Sequence, residues 1–229
     1  MADEIWVGEP AIRVQLRRNP RARRLSLRVA RSGGGVTLTM PDGVSLAVAK
    51  GFATDKQDWL RRTLDRQPAQ VMVAPGTALL VEGTLRQVMV TELKRGARIT
   101  DDRIEVSNHR PGPRIAAALK LLARDRLAEA SGRYAAVLGR SHGKISLRDT
   151  RSRWGSCAPN GDLMYCWRLI MAPPEVLDYV AAHEVAHLVE MNHSPAFWAV
   201  TERLCPDFNT HRKWLRDNGS ELQRYQFTD

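Results

Sequence analysis

The stretch His183-Glu184-Val185-Ala186-His187 limits the fold more than any other part of the chain. Side chains four residues apart on an α-helix stand one above the other, so the two imidazoles can close on one ion when this segment is helical. Glu184 then projects from nearly the same face. In this H-E-x-x-H arrangement two neutral imidazoles hold zinc, and the glutamate moves the proton of the water that the metal activates; it predicts a hydrolase. Val176, Leu177, Val180, Val185, Leu188 and Val189 make the helix apolar on most sides, which predicts burial. The helix is expected to start after Pro173-Pro174 and to stop near Asn192. Ser194-Pro195 reads as the cap and first residue of the next helix, leaving His193 in a tight corner where its side chain can fold back as a third ligand. Three protein ligands and an open position fit a catalytic zinc, whereas a structural zinc usually has four. The competing reading is a buried helix whose histidines bond carbonyls and whose glutamate pairs with a neighbouring cation.

Asn108-His109-Arg110-Pro111-Gly112-Pro113 has the composition of a boundary and predicts two domains, 1–110 and 111–229. In the first, alternation predicts three antiparallel strands, 12–18, 25–29 and 36–40, with Gly33-Gly34-Gly35 as a hairpin connection. One helix over 45–67 follows, ended by Pro68, and then hairpins around Glu82-Gly83 and Asp101-Asp102. The second domain reads as a long helix over 115–138, small antiparallel strands at 145–148, 152–157 and 163–167, and the metal helix. Two further helices, 195–204 and 208–218, complete it, the last ending at Gly219. The fold class is α+β: a smaller, mostly antiparallel β domain with one helix, followed by a zincin-like catalytic domain.

The net charge of +10 favours polyanionic partners. Between Ile12 and Arg31 lie eight arginines and no acidic residue. Arg13, Arg17 and Arg28 are the candidate contacts to nucleic acid or nucleotide phosphates, although a charged strand face that discourages edge-to-edge pairing has the same composition. No phosphate-cradling loop accompanies them: Gly139-Arg140-Ser141-His142-Gly143-Lys144 has the wrong glycine spacing. The chain opens without a basic and apolar leader, and no apolar run is long enough to span a bilayer, so no membrane association and a cytoplasmic location are expected. Cys157, Cys166 and Cys205 are expected to be reduced packing residues.

Arg153-Trp154-Gly155-Ser156-Cys157, Trp167-Arg168-Leu169, Ala172-Pro173-Pro174, His183 to His187, Asn192-His193-Ser194 and Phe197-Trp198 together resemble the YgjP-like metal-dependent hydrolases. That family is related to the SprT-like and WLM zincin metallopeptidases. The resemblance extends over nearly the whole chain, the arginine-rich strands included. It implies Zn2+ bound by His183, His187 and His193, Glu184 as the catalytic acid and base, and the Arg153 to Cys157 strand as a wall of the cleft. The spacing from His187 to His193 also matches metzincins, but Glu190 stands where their turn glycine belongs and no methionine turn follows.

These readings favour a zinc metallopeptidase acting on peptide or protein. Arg153 is the preferred group to steady a developing oxyanion, ahead of Arg168, His142, Tyr165 and His211. Trp154-Gly155-Ser156 could present a backbone edge to an extended peptide, with core packing for Trp154 and a bulge at Gly155 as the structural alternative. Phe197, Trp198, Trp214 and Leu215 read as packing among the last helices. A phosphohydrolase acting on nucleotides through arginine clamps is the alternative enzyme. A nucleic-acid-binding protein with structural zinc is the third reading.

Overall fold

The computed structural model describes residues 4–30 and 35–228, so Arg31 and most of the glycine run expected as a hairpin lie outside the described residues. The chain divides into two compact units, 1–70 and 71–229. The first contains β1 (Glu4–Val7), β2 (Ile12–Arg18), β3 (Ser26–Val29), β4 (Val36–Met40), α1 (Leu46–Asp55) and α2 (Gln57–Asp65). Its sheet runs β1-β2-β4-β3. The three expected strands exist, but β2 and β3 are not neighbours, and β4 enters between them parallel to β2. Side-chain and backbone bonds secure that alignment: Arg18 donates to the carbonyls of Asp42 and Val44 at 2.6 and 3.1 Å, and Asn19 N–H donates to Met40 O. The single expected helix is two, divided at Lys56. Val14, Leu38, Met40, Ala49, Ala53 and Leu60 form the core of this unit.

Alternation puts Arg13, Arg17 and Arg28 on the exposed side of this sheet. The register aligns Arg17 with Thr39 and Ser26, and Arg28 with Thr37 and Gln15, so these two arginines share one face across β4. Arg13 is tied to Glu4 at 2.5 Å.

The second unit contains β5 (Val71–Met72), β6 (Ala78–Val81), β7 (Thr84–Val90), β8 (Ala97–Ile99), β9 (Arg103–Val106), α3 (Pro111–Val137), β10 (Ile145–Arg148), β11 (Gly155–Cys157), β12 (Leu163–Cys166), α4 (Pro174–Ala186), α5 (Pro195–Leu204), α6 (Phe208–Leu222) and β13 (Tyr225–Gln226). The division expected at 110 is seen earlier, after Gln70, and the physical reason is core continuity. Leu79 and Val81 of β6, Val88 of β7, and Ile104 and Val106 of β9 share one buried cluster with Ile115 and Leu119 of α3. The segment read as a linker is the entry to that helix, and a Cβ on Gly112 would meet Phe227 O at 2.8 Å. Such an approach leaves no room for any other residue.

Both expected hairpins form, and β6-β7-β9-β8 is their sheet. The sheet beside the metal helix runs β10-β12-β11, with β10 parallel and β11 antiparallel to β12, so it is mixed where an antiparallel one was expected. Helix α4 packs against α3, α5 and α6. No helix among the described residues is long and apolar enough to cross a membrane.

Gly219 does not end α6, which continues to Leu222. It serves packing instead: a Cβ there would lie 2.9 Å from the Trp154 ring. Gly219→Ala is therefore expected to lose stability despite the helix propensity of alanine, because an overpacking cost of about 2 kcal/mol outweighs a gain of about 1 kcal/mol. Urea unfolding measures the difference. A more stable variant would show that the indole moves aside freely.

Candidate metal centre

Helix α4 presents His183 on its last turn, and His187 is its C-cap residue. The helix ends earlier than the expected Asn192: Leu188 and Val189 N–H groups bond the carbonyls of Val185 and Ala186, tightening the chain into a turn. Ser194 Oγ then accepts from Phe197 N–H at 3.3 Å, with Pro195 in the first turn of α5. Between these two ends the corner brings His193 back onto α4. One ligand atom from each of the three histidines lies within 4.8 Å of the others.

The arrangement fits a metal ion. Nε2 of His183 and Nε2 of His193 stand 3.1 Å apart, and two nitrogens bound tetrahedrally to one ion at about 2.0–2.1 Å would stand about 3.3 Å apart. His187 Nδ1 lies 3.0 Å from Glu190 O, an outer hydrogen bond that leaves Nε2 free to ligate. Nδ1 of His183 is buried without a partner. It is therefore Nε2 of His183, the nitrogen facing the other imidazoles, that is available to an ion.

Aromatic rings fix the imidazoles. Phe197, fully buried, stacks on His187 with centroids 4.4 Å apart and meets His183 and His193 edge-on at 4.9 and 4.8 Å. Trp198 lies 5.7 Å from His183 and carries the Arg212 guanidinium 4.8 Å above its ring. These two aromatics pack the helices as expected and also hold the imidazoles, a role their spacing from His193 could have indicated.

Glu184 is 5% exposed. It projects against β11, where a Cβ on Gly155 would lie 2.5 Å from its Oε1. The backbone of Cys157 hydrogen-bonds the carboxylate. Burial nevertheless dominates and pushes the carboxyl up to about 8, with Arg153 and that hydrogen bond pulling the other way. Burial and the neighbouring imidazoles push His183 down to about 3, and His187 is lowered for the same first reason. Both shifts favour the neutral imidazole, the form that ligates.

A hollow of about 220 Å³ beside Glu184 is lined by Arg153, Trp154, Gly155, Tyr179, His183 and Leu215, among others. Of the residues considered as electrophiles, Arg153 alone lines it. Arg168 is held by Asp149 at 2.6 Å and by the carbonyls of Leu222 and Tyr225. Tyr165 is buried against Ser131 at 3.0 Å, and His142 lies against Gly143 O. His211 does not line the hollow. Tyr179 was missed, although it stands four residues before His183 on the same helix face; burial pushes its hydroxyl up to about 12. Trp154 lines the hollow and also packs on Gly219. Ser156 pairs with Met164 within the sheet. A second hollow, of about 440 Å³, opens on the His187 side between Cys157 to Gly161 and Leu188 to Met191.

A buried helix that carries two clustered histidines and an adjacent glutamate, with a third histidine from the following corner, is the arrangement of a zincin-like metallohydrolase. The chain belongs to the YgjP-like family: the model of the YgjP-like metallopeptidase domain matches residues 23–218. No curated protein and no solved structure gives a significant match.

Gly155→Ala is expected to displace the Glu184 carboxylate and lower turnover by roughly 100-fold, the scale of an ångström's misplacement. Metal content measured by atomic absorption should not change. Unaltered turnover would show that the strand yields instead. A pH effect follows from the shifts. In the metal-free protein the Glu184 carboxyl titrates near 8 against an ordinary 4.5, so the native state holds the extra proton and stability falls as pH rises through that window. His183, near 3 against an ordinary 6.5, makes the unfolded chain the greater proton binder below 6.5, so its contribution rises with pH there. Between 6.5 and 8 the carboxyl acts without that opposition. Urea unfolding in chelator is expected to show stability declining over this interval, and Glu184→Gln to remove that decline. The same slope in the variant would assign it to another group.

Proposed function

We propose that this protein is a zinc-dependent peptidase that holds an extended polypeptide along β11 and cleaves it beside Glu184. The observation that carries this reading is the edge strand β11 laid against the Glu184 carboxylate, with Gly155 as the point of contact. A peptide that adds to such an edge gains main-chain hydrogen bonds regardless of its sequence and arrives with its own backbone near the glutamate. Three imidazoles with an open position suit zinc. When bound by His183, His187 and His193, zinc supplies an activated water and an electrophile for the scissile carbonyl.

The remaining steps belong to the chain. Glu184 takes a proton from the attacking water and returns it to the departing amine. Its raised proton affinity suits the second task, and the charge of a bound metal favours the ionised form needed for the first. Arg153 and Tyr179, residues that both line the hollow, steady negative charge on the carbonyl oxygen. Trp154, Val180 and Leu215 offer the apolar wall for one substrate side chain. The exposed face bearing Arg17 and Arg28 recruits nucleic acid, or protein associated with it, through phosphate contacts. The protein acts in the cytoplasm.

Purified protein loaded with zinc and offered unfolded protein, peptides and nucleoside triphosphates in parallel provides the test. Peptide cleavage is expected, and Glu184→Gln should reduce it by about 10²–10⁴-fold while zinc and folding are retained. Cleavage of nucleotides in place of peptides, lost in the same variant, would make the enzyme a phosphohydrolase. Full turnover by Glu184→Gln would remove the glutamate from the mechanism.

A further inference from the structure

A cavity of about 590 Å³ opens between α3 and the β6-β7-β9-β8 sheet. None of its lining residues lines either hollow at the metal centre. Its volume lies in the range of about 300–1,000 Å³ usual for small-molecule sites. On β7 the inward positions are Arg86 and Val88, so an arginine occupies a place that alternation assigns to the core. Arg86 is only 9% exposed. Its Nε has no hydrogen-bond partner, and no carboxylate forms an ion pair with it among the described residues.

Arg168 shows how this fold treats a buried guanidinium whose task is structural: Asp149 and two carbonyls satisfy it. Arg86 has no such provision, although carboxylates are near. Glu82 lines the same cavity but is taken by Arg126 at 2.7 Å. Ile99, Ala118, Leu121 and Leu122 give the cavity an apolar wall, and Arg114 adds a second guanidinium. A planar guanidinium fork matches a carboxylate, and the apolar wall matches a hydrocarbon chain. Asp101 and Asp125 in the lining oppose a second negative charge, which disfavours phosphate.

We propose that this cavity binds a monocarboxylate with an apolar chain, its carboxylate on Arg86 and its chain along α3 against Leu121 and Leu122. A free aliphatic acid and the C-terminus of an apolar peptide share this chemistry. Titration calorimetry on the full-length, metal-loaded protein compares hexanoate, N-acetyl-Ala-Leu, hexan-1-ol and inorganic phosphate.

Saturable 1:1 binding of at least one of the two acids is expected, with the alcohol and phosphate weaker, and the tighter acid identifies the source. Arg86→Met should weaken it by about tenfold or more, the loss of a charge-assisted hydrogen bond. Ala118→Phe, which fills the cavity from α3 and leaves Arg86 in place, should abolish it; circular dichroism melts verify that each variant is folded. If Arg86→Met does not fold, the Ala118→Phe result decides. His187→Ala should leave the affinity unchanged, because a carboxylate held by the metal would be lost there. Absence of binding, equal affinity in either folded cavity variant, phosphate as tight as the acids, or loss in His187→Ala would overturn the proposal.

Discussion

The contact between the Glu184 carboxylate and the backbone of β11 is the constraint on which the rest of the metal centre depends. A carboxyl 5% exposed has lost most of its water, and the first consequence is a proton affinity raised to about 8. The contact also sets the distance from helix to sheet. With Oε1 placed 2.5 Å from where a Cβ on Gly155 would stand, only glycine lets β11 approach this closely. Helix α4 then cannot shift or rotate without either driving the carboxylate into the strand or breaking the bond from Cys157. The two helical histidines inherit that fixed position.

Rigidity of the third ligand has a different origin. His193 lies outside regular structure and is exposed, yet its ring is held by Phe197 and by the facing Nε2 of His183. Phe197 touches all three imidazoles, so α5 works as a floor for the histidine cluster. Helix α6 supports that floor in turn. Phe208 stacks on Trp198 at 5.4 Å, Arg212 lies over the same indole, and Gly219 admits Trp154 from the other side. Aromatic and cation–π contacts of this kind are individually modest, but here they converge on one ligand set.

The second unit contains two buried arginines whose environments differ in a way that bears on function. Arg168 ties Asp149 to the carbonyls of Leu222 and Tyr225 and so joins the C-terminal segment to the end of β10. Arg86 is nearly as buried, yet its Nε has no hydrogen-bond partner and no carboxylate pairs with it among the described residues. Interior charge is retained in folded proteins where pairing or a ligand compensates it. The first arginine is compensated within the chain, and the second points to a molecule from outside it.

The clustering of the three histidines was largely legible because its parts are local: helical spacing alone superposes His183 and His187, and a capping serine followed by proline forces the corner at His193. The hairpins around Glu82-Gly83 and Asp101-Asp102 were legible for the same reason, each being fixed by its own turn. The parallel alignments of β2 with β4 and of β10 with β12 were not, because alternation records which face a residue occupies and is silent about its neighbour strand. The unit boundary escaped for a related reason: a proline- and glycine-rich stretch looks alike whether it links domains or opens a helix, and only the shared burial of Leu79, Ile104 and Leu119 decides. Gly155 and Gly219 acquire their roles from Glu184 and Trp154, side chains distant in sequence. The sequence by itself determined the set of side chains brought together as candidate ligands, since residue type and helical spacing act within a few residues. Tertiary structure decided the surroundings, the strand against the glutamate and the cavity at Arg86, since desolvation and close approach exist only once remote segments meet.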